Sequence, residues 1–160
     1  MILSEKDVLI VFNKHKKALI KAMGTKSTTD RQLNTMGKQL FGAKYLGTYS
    51  QDNIPWKKVH SIINFNNTFA IINTDPVGKP GVHWVGLFVT AKTVYIWDSY
   101  GRKSQTLLPI LVKQLKTRKY KFKDSDNDTD QSRRSQICGQ LCLSWMLTVK
   151  DLGIHNAMKV

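Results

Sequence analysis

Four side chains in this sequence have the types that amide hydrolysis through a sulfur nucleophile requires: the thiol of Cys138, the imidazole of His83, the carboxylate of Asp98 and the carboxamide of Gln131. In such chemistry the imidazole takes the thiol proton, the acid fixes the tautomer of the imidazole, and a donor meets the oxyanion that forms on the substrate carbonyl. Cys138 opens an apolar segment in which Ile137, Leu141, Trp145 and Val149 recur at fourfold spacing, with Cys142 and Met146 beside them. That period predicts a helix buried on one side, with Cys138 in its first turn. Unpaired backbone N–H groups and the positive end of the helix dipole favour an anion there, so the thiolate is stabilised and the pKa falls below the free value of about 8.5. Gly139 beside it allows a substrate backbone to approach closely, or is a neutral feature of the turn. Taken alone, a cysteine at a helix start is more often a small buried hydrophobe than a nucleophile, and Cys142, one turn on, has that reading. The partners of Cys138 decide the matter.

Those partners must come from the centre of the chain. Residues 69–74, 83–89 and 94–98 are short, rich in β-branched and aromatic side chains, and predicted to be three adjacent strands. The link at residues 91–93 is so short that the last two form a hairpin. His83 then starts one strand and Asp98 ends its neighbour. Opposed residues on one face lie about 5 Å apart, so Asp98 can accept the imidazole N–H while the other ring nitrogen serves Cys138. Gln131 is the amide donor to the oxyanion, beside the backbone N–H of Cys138.

Around this centre, Ser4 to Met23 reads as a basic amphipathic helix ended by Gly24. After a polar loop, Leu33, Met36, Leu40 and Phe41 mark a second helix, capped by Thr29 or Asp30 and closed by Gly42. Tyr45 to Trp56 is expected to be an aromatic, turn-rich connection, and Trp56 to His60 sets Lys57 and Lys58 beside an aromatic ring, as a substrate wall or a nucleic-acid contact. Ser104 to Lys116 is predicted helical, with Pro109 in its first turns or at a kink. Tyr120 to Lys123 is a fourth strand with lysines on one face, followed by a solvated acidic loop to Asp130. Lys150 to Val160 is polar and too short for another layer. His15, His60 and His155 are expected on the surface.

Length and composition, 160 residues with 41% hydrophobic, suit one domain over residues 1–160, in which 1–29 add a basic helix to a core at 30–150. Two cysteines four apart give neither a disulfide framework nor the four ligands of structural zinc, which implies a reducing compartment. No apolar run reaches the roughly 18 residues of a membrane span, and the acidic amino-terminal residues do not suit a signal peptide. A soluble, intracellular protein with no membrane partner is expected. The net charge of +14 points to a polyanion, with DNA bound non-specifically by Lys14, Lys16, Lys17, Lys57 and Lys58; the plainer reading of the charge is solubility.

The order His83, Asp98, Gln131, Cys138 resembles the adenovirus-type endopeptidases, or adenains, and more distantly the ubiquitin-like-protein proteases. The segments that carry the likeness are Leu40 to Tyr49, Ala70 to Thr74, Gly81-Val82-His83-Trp84, Tyr95 to Gly101, Gln131, and Cys138-Gly139-Gln140-Leu141-Cys142. Together they span about Asp30 to Lys150. The resemblance implies an α+β, papain-like fold with a central, mostly antiparallel sheet and the nucleophile at a helix N-terminus. It implies a viral cysteine endopeptidase that cleaves virion precursor proteins at glycine-containing sites during capsid maturation, working in the virion and the host-cell interior as a monomer. In that reading Cys138 is the nucleophile, His83 the base, Asp98 its orienter and Gln131, seven residues before the cysteine, the oxyanion donor in preference to Gln136. Trp84 and Gly139 touch substrate, Trp84 restricting the neighbouring residue to glycine or else filling the core. No metal or organic cofactor is implied, although the family's activators are DNA and a viral peptide tethered through a cysteine. That cysteine and the family's longer carboxyl-terminal part have no counterpart here, and Asp98 stands where adenains carry Glu. Two other classes fit parts of the pattern: a ubiquitin-like-modifier protease, and a non-enzymatic basic DNA-binding protein that explains the charge alone.

Overall fold

The computed structural model describes residues 1–63, 67–75, 77–78, 83–125, 129–132 and 135–160. The fold is α+β, built on a five-stranded sheet with strands in sequence order. The strands are β1 (Tyr45–Ser50), β2 (Thr68–Asn73), β3 (Trp84–Val89), β4 (Thr93–Trp97) and β5 (Lys121–Asp124). The helices are α1 (Glu5–Met23), α2 (Asp30–Phe41), α3 (Trp56–Ile63), α4 (Ser104–Leu107), α5 (Pro109–Thr117), α6 (Cys138–Leu152) and α7 (Ile154–Ala157). The three central strands are antiparallel as expected, while β1 and β5 run parallel to β2 and β4, so the sheet as a whole is mixed.

Strand alternation divides the core into two layers. Phe69, Ile71 and Phe88 face a cluster completed by Val8, Phe12 and Leu19 of α1, Leu33 of α2, and Leu141, Trp145 and Met146 of α6. Ala70, Ile72, Val85 and Leu87 face the opposite way, onto Trp56 and Val59 of α3 and Leu111 and Leu115 of α5. Helix α6 is therefore buried on nearly every side: Cys138 to Met146 are all buried between the sheet and α1, with the polar Gln140 and Ser144 among them hydrogen-bonded to backbone carbonyls.

Several elements depart from the sequence expectation. Residues 45–50, expected as a turn-rich connection, form a strand whose pairing slips between Tyr45 and Gly47. Residues 56–63 form a helix, entered through Pro55. The helix expected over 104–116 is two, because Pro109 occupies the first turn of α5 and Leu108 breaks the chain at φ −129° and ψ 58°. The tail is not a loose appendage: Ala157 and Val160 are buried, and their carbonyls accept the indole N–H groups of Trp145 at 3.1 Å and Trp97 at 3.3 Å. In α2 Thr29 is the cap, exchanging hydrogen bonds with Gln32 in a capping box. His155 is exposed and His15 is partly covered, its ring 2.6 Å from Asp151. The side chain of His60, Gly81, Val82 and the middle of the acidic loop lie outside the described residues. No helix among the described residues is long and apolar enough to cross a membrane.

Candidate active site

Cys138 is the first residue of α6, beside the start of β3 at Trp84 and near the end of β4 at Trp97. Gly86 pairs with Trp97, so continuing that register puts Val85 opposite Asp98 and His83 two residues further along the same face. The pair is therefore diagonal rather than directly opposed, a separation that a long imidazole reach can close. His83 Nε2 lies 2.5 Å from Asp98 Oδ1, with both side chains buried. The Nε2 nitrogen being engaged, Nδ1 is the atom left for Cys138, whose thiol hydrogen-bonds the ring.

Asp98 is held from its other side as well. A tight turn, closed by Gly101 N–H on the Asp98 carbonyl at 2.9 Å and by a φ of 67° at Gly101, brings Arg102 back onto the carboxylate. The Arg102 backbone N–H and Nε donate to Oδ2 at 3.0 and 2.9 Å. Burial pushes the Asp98 carboxyl up, but the hydrogen bonds from His83 and Arg102 outweigh it and hold the pKa at about 2. Burial likewise opposes charge on His83, yet its hydrogen bonds to Asp98 and Cys138 carry its pKa above the ordinary imidazole value. For Cys138 burial acts to raise the pKa, and the His83 hydrogen bond with the backbone N–H groups of Trp84 and Gly139 brings it down on balance. Cys142 is the opposite case: wholly buried, with Cys138 and Asp98 as negative neighbours, its thiol is pushed well up. It donates to the Trp84 carbonyl at 3.4 Å, so the two cysteines grip opposite ends of the Trp84 residue.

Gln131 is buried next to the approach to α6. Its amide nitrogen donates to the Ser135 carbonyl at 2.8 Å, and its amide oxygen lies 2.6 Å from the Ser99 hydroxyl. The Ser135 hydroxyl in turn accepts the Ile137 N–H at 3.4 Å, immediately before Cys138. Gln136, the alternative to Gln131 in the sequence, is exposed.

A cleft of about 410 Å³ opens beside Cys138 between the loop Ser27–Asp30, the end of β1, Asn73 and Trp84. Trp84 is half-buried; its ring packs on the core and also lines the cleft, with Nε1 donating to the Thr28 carbonyl at 3.1 Å. Gly139 is placed differently. A Cβ there would stand 2.2 Å from Thr28 Oγ1 and 3.0 Å from Leu33 Cδ2, so the close approach it permits is that of Thr28, and toward the thiol it presents only its N–H. Gln140, fully buried, donates to the carbonyls of Gly24 and Lys26 at 2.9 and 3.0 Å. The loop after α1 is thus fastened to the start of α6 and becomes a wall of the cleft.

Sequence reasoning missed Arg102, Ser99, Tyr100 and this loop. The Arg102 signal is present as a cation four residues after the acid across a glycine turn. Tyr100 places its ring 5.3 Å from the His83 ring and donates to the Ser132 carbonyl at 3.2 Å. The five lysines considered for DNA do not form one patch. Lys14, Lys16 and Lys17 belong to α1, which packs on one sheet face, and Lys57 and Lys58 to α3, which packs on the other. Among the described residues no group of three His, Cys, Asp or Glu side chains is arranged to hold a metal ion.

The profile of the adenovirus endoprotease family matches residues 45–151, a span that contains His83, Asp98, Gln131 and Cys138 and leaves out α1, α2 and the loop between them. No curated protein sequence matches the chain. Among solved structures, AvrA delL154 with IP6 and CoA aligns at a TM-score of 0.47 and 14% identity, covering 94% of this chain; the chain thus spans 62% of that neighbour.

Proposed function

The chain belongs to the adenovirus endoprotease family, and from that premise we propose that it is a cysteine endopeptidase with Cys138 as nucleophile, His83 as base, Asp98 as orienter and Gln131 as oxyanion donor. The observation that carries the reading is geometric: Cys138, at the start of α6, hydrogen-bonds the ring of His83, whose other nitrogen lies 2.5 Å from the buried Asp98 carboxylate, and with that arrangement goes a thiol pKa moved down and an imidazole pKa moved up. The thiolate adds to the scissile carbonyl, and Gln131 Nε2 with the Cys138 N–H meets the negative oxygen. The His83 imidazolium gives its proton to the departing amine, leaving an acyl thioester and a neutral ring. That ring then takes a proton from the water whose oxygen attacks the thioester, sulfur leaves as the thiolate, and the imidazolium–thiolate pair is restored with the acid product released. Asp98 remains ionised throughout and keeps the proton of Nε2 in place.

The substrates proposed are virion precursor proteins cut at glycine-containing sites during capsid maturation, inside the host cell and the virion. What supports this is the family match together with Trp84, a flat ring in the wall of the cleft next to His83. Non-specific DNA is proposed as a second partner because the chain carries +14. The chemistry uses no metal or organic cofactor, and the acting species is a monomer. The test is incubation with capsid precursor proteins and, separately, with ubiquitin-like modifiers bearing a carboxyl-terminal fluorophore, with product ends mapped by mass. Cleavage of precursors after glycine, lost in Cys138→Ala, is the expected result. Release of fluorophore with intact precursors would move the chain to the modifier proteases, and no cleavage of either would sink the enzymatic reading.

A further inference from the structure

Ser99 is fully buried, directly follows Asp98, and takes no part in the chemistry set out above. Its hydroxyl oxygen is 2.6 Å from Gln131 Oε1, while Gln131 Nε2 is 2.8 Å from the Ser135 carbonyl oxygen. A carbonyl oxygen only accepts, so the nitrogen end of the amide must face Ser135 and the oxygen end must face Ser99. Ser99 O–H is then the donor. This uses the Gln131 oxygen and one amide hydrogen, and leaves the second N–H without a partner among the described residues. The backbone is tied at the same place, since the Asp130 N–H donates to the Ser99 carbonyl at 2.7 Å, one residue before Gln131.

We propose that Ser99 is a positioning residue that makes Gln131 an oxyanion donor, an inference that rests on the reading of Gln131 given above. Two effects act together. The hydroxyl satisfies an amide oxygen that is buried and would otherwise turn away from the core toward water. The same bond polarises the amide, which strengthens its remaining N–H as a donor where charge develops. Because Asp98 and Ser99 are neighbours on one turn, a single short stretch orients both the imidazole and the carboxamide. The acid and the oxyanion donor are therefore set by one piece of backbone.

The test compares Ser99→Ala, Gln131→Ala and the double variant by peptide hydrolysis, and follows iodoacetamide alkylation of Cys138 in each. Alkylation consumes the thiolate but forms no oxyanion, so it reports the Cys138–His83 pair alone. Ser99→Ala is expected to lower kcat by about 10-fold to 10²-fold, less than or equal to the loss of a whole oxyanion donor, with KM and alkylation rate unchanged. The double variant should be no slower than Gln131→Ala, since Ser99 acts through Gln131. Ser99→Thr, which keeps the hydroxyl, should recover most of the rate, and thermal unfolding shows which variants fold. Losses that multiply in the double variant, or alkylation that falls with hydrolysis in folded Ser99→Ala, would overturn the proposal and leave Ser99 as a support for Asp98. A slow Gln131→Ala with a normal Ser99→Ala overturns it alone, whereas a fully active Gln131→Ala removes the oxyanion assignment and this inference together.

Discussion

His83 Nε2 and Asp98 Oδ1 stand 2.5 Å apart, and the second oxygen of that carboxylate is held by Arg102 through both backbone and side chain. The acid is thus fixed on both oxygens and has no freedom to rotate away from the ring. Asp98→Asn should lower kcat by about 10²-fold to 10⁴-fold with little change in KM, because the amide no longer fixes the tautomer or favours the imidazolium. Arg102→Ala should cost far less, about fivefold, since the guanidinium is half-exposed and the backbone N–H remains. Steady-state kinetics on one peptide decides the order, and an Arg102→Ala loss as large as that of Asp98→Asn would contradict it.

The same carboxylate ties stability to acid. Its pKa is about 2 against 3.8 when unperturbed, so its contribution is present above 3.8 and is lost as pH falls toward 2. That contribution is about 2 kcal/mol. Denaturant unfolding of the parent and Asp98→Asn at falling pH should therefore show a stability gap that narrows below pH about 4 and closes near 2.

Thiol reactivity separates the two cysteines. Cys138 lies below the ordinary thiol value and Cys142 well above it, so iodoacetamide at mildly acidic pH should label Cys138 and spare Cys142. In the proposed mechanism activity requires an ionised Cys138 and a protonated His83, so the acid limb of the pH profile follows a thiol moved down and the alkaline limb an imidazole moved up. The alkaline limb should lie above 6.5 and move to lower pH in Asp98→Asn, which removes a group that holds the proton on His83. Equal labelling of both cysteines in the folded protein would refute the assignment.

Gly139→Ala tests the loop wall. The added Cβ meets Thr28 Oγ1 at 2.2 Å, on a side chain too short to swing clear, so a loss of about 1 to 3 kcal/mol is expected. Thr28→Ala in the same chain should restore part of it, leaving the Leu33 approach at 3.0 Å. Thermal unfolding of the two single variants and the double variant gives the coupling, and simple additivity would show that the loop does not rest on Gly139.

Because α1 and α3 pack on opposite sheet faces, one bound duplex should engage the lysines of only one of them. Replacing Lys14, Lys16 and Lys17 by Gln should weaken binding and reduce the salt slope by about 0.9 for each phosphate that is no longer neutralised, while Lys57→Gln should leave the slope unchanged. Fluorescence anisotropy across a salt series measures both. No binding by the parent protein at low salt would exclude DNA as a partner.

Much of the fold and the site is legible in the residues. The fourfold apolar period places the start of α6 at Cys138, and the short link between β3 and β4 requires the hairpin that joins His83 to Asp98. β1 is hidden because its partner β2 is parallel and distant in the chain, and because the slip at Gly47 interrupts alternation. α3 is hidden by its length, eight residues being too few for a clear period. Local pattern gives no access to pairings such as Gln140 with Gly24, or Ser99 with Gln131, since nothing in a buried polar residue names the distant carbonyl or amide it will meet. The lysines show the converse limit: charge counted along the chain says nothing about which side of a sheet it will occupy.

The bond between Gln140 and Gly24 spans 116 residues, most of the chain. Closing so long a segment carries an entropic cost that only the intervening sheet can offset, because the ends meet cheaply once β2 to β4 and α6 are in register. A contact of that span should form late in folding, so Cys138 would gain the wall of its cleft only once the loop after α1 has met the start of α6. If the chain hydrolyses peptides as proposed, that capacity would arise only after it has passed through the extended states in which it would itself be a substrate.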